Sequence, residues 1–535
     1  MLSAADIIAQ RLYEAGTRNA FGIPGGEVLA IMQALDRVGI EFTLTKHENA
    51  AGFMAEGTWH ARQAPGILVA TVGPGVANAV NVIANALQDR VPLIFLTGCV
   101  DASDTATYTH QVFDQNALLE PITKASFTAT DGAIDVIVDK ALAIALDDPP
   151  GPVHIDIPIH VATRPQDSTG RPIRGRNSRG VAGGADLELA RTWLQEAQKP
   201  LLIAGVEALN QGAENAVAQF VTECEIPLIT TYKAKGIVPE DHRLCLGGAG
   251  LSPKADHTLH PLIAEADLII LAGYDPIEMR AGWRNPWPEH ARVIEFSGVP
   301  NTHYVHHADL NFIGDVGASL NRLKEGFDNN SYWINGEAAA ARQKLKTDFA
   351  PPDSWGPGQI IDIARRCAPQ NTVAAVDTGA HRILLSQMWE CYEPRTLMQS
   401  TGLCTMGCAV PLAIGFSLVK PEFPMLAFVG DAGLEMMLGD LATLRALRLP
   451  IVVIVFVDRS LALIELKQRG NGMENLGVDF DATDFVKVAE GFGLYGAWVD
   501  DGEGMHKEMN DALKRQDQAT LLACRFDRKA YDDTF

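Results

Sequence analysis

One stretch, 425–460, constrains the fold of this chain more than any other. An apolar run from Met425 to Val429 leads into Gly430-Asp431. A helix-period segment covers 434–448, and after Pro450 a second apolar run, 451–457, ends at Asp458. Two strands therefore each stop at a carboxylate, with 26 residues between Asp431 and Asp458. A right-handed crossover of that length sets both acids side by side at the C-terminal edge of one parallel sheet. Oxygens converging there, beside the N–H groups of Ala432 and Gly433 at a helix start, suit a hard cation carrying a diphosphate. The pattern predicts a phosphorylated cofactor held through a metal.

The same alternation of short apolar runs and helical periods fills the rest of the chain. Runs at 20–23, 41–46, 67–72, 93–96 and 153–157 precede a stretch rich in Arg, Gly, Pro and Ser, 164–186. Runs at 201–204, 228–231, 268–272 and 292–296 precede a second break, 328–357, with Asn-Asn, Pro-Pro and Gly-Pro-Gly around one helical patch. Runs at 373–376, 425–429, 451–457 and 521–525 follow. Continuous apolar strands imply parallel sheets covered on both faces. The expected fold class is α/β, with three doubly wound parallel-sheet domains at 1–165, 186–328 and 356–535.

Charge and cysteine usage narrow the function classes. With 535 residues and 47% hydrophobic content, one core is not enough, because single cores stop growing near ~250–300 residues. A net charge of −22 argues against nucleic acid and anionic membranes as partners. Eight scattered cysteines, none in a CxxC pair, give neither a disulfide framework nor a zinc site. The first 16 residues lack a basic segment followed by an apolar core, and no run reaches the ~20 apolar residues that span a bilayer. A cytoplasmic enzyme is the expectation.

Three further loops at strand ends carry chemistry-bearing residues. Lys46-His47-Glu48-Asn49 stands where an extended run stops and an Ala-rich helix begins. Taken alone, Glu48 reads as a helix N-terminal acid, worth ~0.3–1 kcal/mol against the dipole. Gly73-Pro74-Gly75 with Asn78 forms a turn that lets a flat ligand approach the backbone, though such turns are common in α/β proteins. The small-residue loop from Ser400 to Gly407 contains Cys404 and Met406, which by themselves read as packing.

The order and spacing of these pieces are more specific than any one of them. Phe21-Gly22-Ile23-Pro24-Gly25-Gly26, His47-Glu48, Ala70 to Gly75 and Gly151 to Pro158 lie in the first third. Pro239-Glu240-Asp241-His242, Asp377-Thr378-Gly379-Ala380-His381, Met406-Gly407 and Gly430-Asp431 follow. Along essentially its whole length the chain resembles thiamine diphosphate-dependent enzymes of the acetolactate synthase and 2-oxo acid decarboxylase type. The resemblance implies a pyrimidine-binding domain first, a central domain second and a diphosphate-binding domain last. It also implies thiamine diphosphate and Mg²⁺ as cofactors, a small 2-oxo acid as substrate, and a homodimer or homotetramer with active sites between subunits. Asp431, Asp458 and the Ser460 carbonyl would ligate the metal. Gly73, Pro74, Asn78, Thr378, Gly379, Ala380, His381, Cys404, Met406, Gly430, Asp431, Ala432 and Gly433 would line the cofactor. Met406 would lie under the thiazolium. Glu48 would hydrogen-bond N1′ of the aminopyrimidine, an acid–base role typically worth ~10²–10⁴ in rate. His47, His110, Gln111 and His381 are candidates for proton transfer near the substrate carbonyl.

The chain departs from that family pattern in places. Ala432 replaces a glycine, and Asp458 replaces an asparagine, adding a negative charge beside the diphosphate. In the middle third, Arg280 is displaced by about one residue from its place in flavin-binding members, and Glu295-Phe296-Ser297-Gly298 lacks the acid where the pattern wants it. These residues argue against FAD. Lys467 stands where biosynthetic synthases place a tryptophan. It reads either as a substrate-anion partner or as a solvated helix charge paired with Glu465 or Asp458. His306-His307 reads as structural. The favoured function is decarboxylation with carboligation. The alternatives are a non-ligating decarboxylase, a flavin-linked oxidase or C–C hydrolase on the same fold, and a paralogue that binds the cofactor without activity.

Overall fold

The computed structural model describes residues 1–167, 178–328 and 331–535; within the two expected linkers, 168–177 and 329–330 lie outside the described residues. Three six-stranded sheets carry the architecture, each parallel throughout. The first runs Glu41–Leu44, Asn19–Ile23, Gly66–Ala70, Leu93–Cys99, Val153–Pro158, Ala125–Thr128 across the sheet. The second runs Cys245–Ala249, Leu228–Thr231, Pro200–Ala204, Leu268–Ala272, Arg292–Ser297, Leu310–Ile313, and the third Leu397–Gln399, Val373–Val376, Met425–Gly430, Val452–Val457, Thr520–Arg525, Tyr495–Val499. A small antiparallel pair joins Leu2–Ser3 to Pro165–Gln166.

Every strand expected from the sequence is present. The parallel strands it did not reveal are Ala125–Thr128, Cys245–Ala249, Leu310–Ile313, Leu397–Gln399 and Tyr495–Val499, and each is a sheet edge. An edge has a neighbour on one side only and need not be continuously apolar. Leu310–Ile313 alternates between half-buried and exposed, and Cys245–Ala249 contains Gly247 and Gly248.

The crossover between Asp431 and Asp458 differs from the single helix expected over 434–448. Helix begins at Asp431, runs to Glu435, gives way to a 3-10 turn at Leu438–Asp440, and resumes at Leu441–Leu447. The break serves a contact with the first third of the chain: Asp440 Oδ1 accepts the Lys46 N–H at 3.0 Å. A side chain on Gly439 would meet Lys46 Cβ at 3.1 Å.

In the third sheet the chain reverses its winding between Val373–Val376 and Met425–Gly430, the topological switch point where α/β folds bind ligands. Loops starting at Asp377, Asp431 and Asp458 all emerge on that side.

Helix Glu48–Arg62 lies against helix Ala409–Val419, joining the first and third sheets' layers in one apolar cluster. Helix Ala409–Val419 is buried along most of its length, which accounts for its lack of a polar face. Glycines permit the approach. A Cβ on Gly415 would sit 1.9 Å from the Met54 carbonyl oxygen, and one on Gly57 2.3 Å from that of Leu412. Gly415→Ala is therefore expected to destabilise the protein by about 1–3 kcal/mol, the usual result of overpacking, despite alanine's better helix propensity. A urea-unfolding midpoint at or above wild type would show that the helices are not this close.

Candidate active site

Asp377, fully buried at the end of strand Val373–Val376, holds three loops together. Its carboxylate accepts the N–H groups of Gly407 at 2.8 Å and Gly430 at 3.2 Å, and faces His381 Nε2 at 2.6 Å. His381 is also held flat against Phe456, with ring centroids 5.0 Å apart and 19° between planes. A second buried acid, Asp89, anchors the loop that carries Met406. It accepts from Thr401 Oγ1 at 2.7 Å and Gly402 N at 2.7 Å, and pairs with Lys233 at 3.2 Å. Nothing in the local sequence marks Asp89 or Lys233, because the loop they support lies more than a hundred residues away.

Asp431 and Asp458 converge as their spacing predicts. Asp431 Oδ2 accepts the N–H groups of Asp458 at 3.1 Å and Arg459 at 2.7 Å. Its Oδ1 takes the Ala432 N–H at 2.9 Å, so that group, expected to be open to a phosphate, is already engaged. Asp458 Oδ1 accepts the Ser460 N–H at 3.0 Å, and Arg459 between them adopts a left-handed φ of 58°. Burial pushes the Asp431 carboxyl up to about 6 against the pull of its backbone donors. Burial and then the charge of Asp431 push Asp458 to about 8. A buried and a half-buried carboxylate that repel each other are stabilised by a cation placed between them.

These residues surround a cavity of about 140 Å³. Its walls are formed by 378–381, Met406, 430–433, Asp458 and Ser460, all expected, together with Leu461, Ala462, Leu463, Ile464 and Tyr531, which were not. Thr378 Oγ1 and the Tyr531 hydroxyl are buried without a hydrogen-bond partner. Unpaired buried donors, a pair of acids needing a cation and a glycine-rich wall together fit a metal-bound diphosphate.

Known families match along the same divisions. "Thiamine pyrophosphate enzyme, N-terminal TPP binding domain" covers residues 2–118, the central domain of the same family 187–323, and its C-terminal TPP binding domain 377–524. The chain is 30% identical over 518 residues to a Bacillus subtilis (strain 168) protein named acetolactate synthase, spanning 93% of this chain and 88% of that one. It is 27% identical to the Escherichia coli (strain K12) acetolactate synthase isozyme 3 large subunit, over 96% of this chain and 93% of the relative. For the acetolactate synthase large subunit of Lactococcus lactis subsp. lactis (strain IL1403) the identity is 29%, over 97% and 92%. The chain belongs to the thiamine pyrophosphate enzyme family. It is a thiamine diphosphate-dependent enzyme.

The remaining expected residues lie on the first sheet. Glu48 is buried as the first residue of its helix, and its Oε2 accepts from Asn78 Nδ2 at 3.0 Å. Its Oε1 would be 3.3 Å from a Cβ on Gly75, so the two expected loops meet at this carboxylate. His47 is exposed and caps the helix, its Nδ1 accepting the Asn49 N–H at 3.1 Å. Gly73 precedes Pro74, the first residue of helix Pro74–Gln88, and donates its N–H to Gln115 Oε1 at 2.8 Å. Its left-handed φ of 75° and a Gln111 carbonyl 2.2 Å from any added Cβ both require glycine. The Gln111 side chain itself is exposed, as is that of His110. None of these residues lines the cavity of their own chain. Cys404 does not line it either: its Sγ donates to the Thr401 carbonyl at 3.2 Å and accepts from Arg382 at 3.3 Å.

Elsewhere, Arg280 donates to Asp256 at 3.1 Å, and Glu295 faces His306 at 3.2 Å, the structural use expected of that histidine. Glu465 pairs with Arg469 rather than with Lys467, which is exposed. Among the described residues no helix is long and apolar enough to cross a membrane.

Proposed function

We propose that this enzyme uses thiamine diphosphate and Mg²⁺ to decarboxylate a small 2-oxo acid and to join the retained carbon unit to a second carbonyl compound, a reading supported by relatives named acetolactate synthase. The observation that carries this reading is the cavity in which the paired acids Asp431 and Asp458 meet the 378–381 loop and Met406. When bound, thiamine diphosphate supplies a carbon nucleophile and an electron sink for the carbon left by CO₂.

The chain's own residues do the rest. Asp431, Asp458 and the Ser460 carbonyl would hold the cation, which would bind the diphosphate to the protein. Thr378 Oγ1 and the His381 loop would hold the diphosphate, and Met406 would support the thiazolium. Asp377 and Asp89 keep these loops in register with each other. Asn78 occupies Oε2 of Glu48 and leaves Oε1 to share a proton with N1′ of the aminopyrimidine. Because Glu48 does not line its own chain's cavity, it serves the cofactor of a neighbouring copy in a homodimer or homotetramer. Leu461, Leu463 and Ile464 line one side of the cavity and would give the bound cofactor an apolar wall.

The test is to incubate the Mg²⁺-thiamine diphosphate enzyme with a panel of 2-oxo acids, measuring CO₂ and identifying the carbon product with and without an added aldehyde or oxo acid. A ligated hydroxy-oxo product is expected. Free aldehyde as the only product under all conditions would make the enzyme a plain decarboxylase, and no CO₂ from any acid would remove the reading.

A further inference from the structure

The C-terminal segment folds back onto the metal loop and is fastened there twice. Arg528 pairs with Asp479 and reaches Ser460 Oγ at 3.4 Å. Arg469, itself held by Glu465 at 3.1 and 3.2 Å, grips both oxygens of Asp532 at 2.9 and 2.6 Å. Between these ties Tyr531 is driven inward, 1% exposed, packed with Ala380, Ala462 and Phe526. Tyr531 lines the cavity shared by Thr378, Asp431 and Asp458, and its hydroxyl is buried with no partner. A buried polar group left unpaired is costly, and two ion-pair ties hold this one in place. At neutral pH a phenol is an O–H donor, and the neighbouring acids already accept backbone N–H groups.

We propose that Tyr531 is a cofactor-binding residue whose hydroxyl donates a hydrogen bond to an oxygen of the metal-bound diphosphate, making the C-terminal segment part of the cofactor site. The proposal rests on the thiamine diphosphate reading of the cavity and adds a donor that the motif-bearing loops do not contain.

The experiment compares wild type with Tyr531→Phe as cofactor-free full-length proteins. Each is titrated calorimetrically with Mg²⁺-thiamine diphosphate and, separately, with Mg²⁺-pyrophosphate. Tyr531→Phe is expected to bind both about tenfold more weakly, since a charge-assisted bond to the shared diphosphate is lost. The cofactor-free variant should melt at or above the wild-type temperature, because the unpaired hydroxyl is gone while the ring packing remains. Unchanged affinity for both ligands would overturn the proposal. So would weaker binding accompanied by a lower melting temperature of the cofactor-free variant, which would assign Tyr531 to folding of the segment. Failure of wild type itself to bind either ligand in a Mg²⁺-dependent way would instead remove the cofactor reading beneath it.

Discussion

Glu48→Gln is expected to lower turnover by about 10²–10⁴-fold while leaving Mg²⁺-dependent cofactor binding essentially intact. Glutamine preserves the shape at the start of helix Glu48–Arg62 and keeps an oxygen for Asn78, so the fold should not change. What it removes is a carboxyl oxygen able to share a proton with the cofactor. A steady-state assay alongside a calorimetric titration separates the two effects, and wild-type turnover in the variant would discard the proposed role. Mixing experiments then test where Glu48 acts. A Glu48→Gln subunit retains its metal acids, and an Asp458→Ala subunit retains Glu48. If sites are shared between copies, hybrids of two inactive variants regain activity. No recovery after subunit exchange would place Glu48 in the site of its own chain.

The second large effect concerns Asp458. Asp458→Ala should lose at least the roughly 10–100-fold in metal-dependent cofactor affinity that even an outer-shell partner is worth, whereas Asp458→Asn should bind, since an amide oxygen can still ligate the metal. Equal affinities for both variants would remove Asp458 from the metal shell. Its charge also predicts a pH signature. The folded carboxyls at positions 431 and 458 hold their protons up to about 6 and about 8, well above an unfolded aspartate. Between roughly pH 4 and pH 8 these two carboxyls bind more protons in the metal-free native state than in the unfolded chain, and their contribution to stability falls as pH rises through that window. Mg²⁺ must displace those protons, so its affinity should climb from about pH 6 to about pH 8 with protons released on binding. Calorimetry in buffers of different ionisation enthalpy counts them, and a pH-independent affinity would contradict the geometry of the pair.

Central strands such as Leu268–Ala272 and Val452–Val457 were plain in the sequence because a strand buried on both faces must be apolar at every position. The edge strand Leu310–Ile313 was hidden because its residues alternate between half-buried and exposed, and Cys245–Ala249 because two glycines interrupt it. The cavity's loops were legible for a similar reason: their residues are local to strand ends, where order and spacing carry information. Tyr531 was not, since its place depends on Arg469 and Arg528 drawing a distant tail across the metal loop. Asp440 belongs with it. A helix period runs through 434–448, but the helix breaks at Gly439-Asp440, where Asp440 accepts from the distant Lys46 N–H and from Thr443.

By itself the amino-acid order determined the α/β layers, the convergence of Asp431 and Asp458 and the family to which the chain belongs, because periodicity and strand-end spacing are short-range properties. Tertiary structure alone decided which donors are left unpaired in the cavity and that Asp89 and Lys233 brace the loop carrying Met406. Those outcomes depend on contacts between segments tens to hundreds of residues apart, whose partners are selected by packing and desolvation rather than by any pattern along the chain.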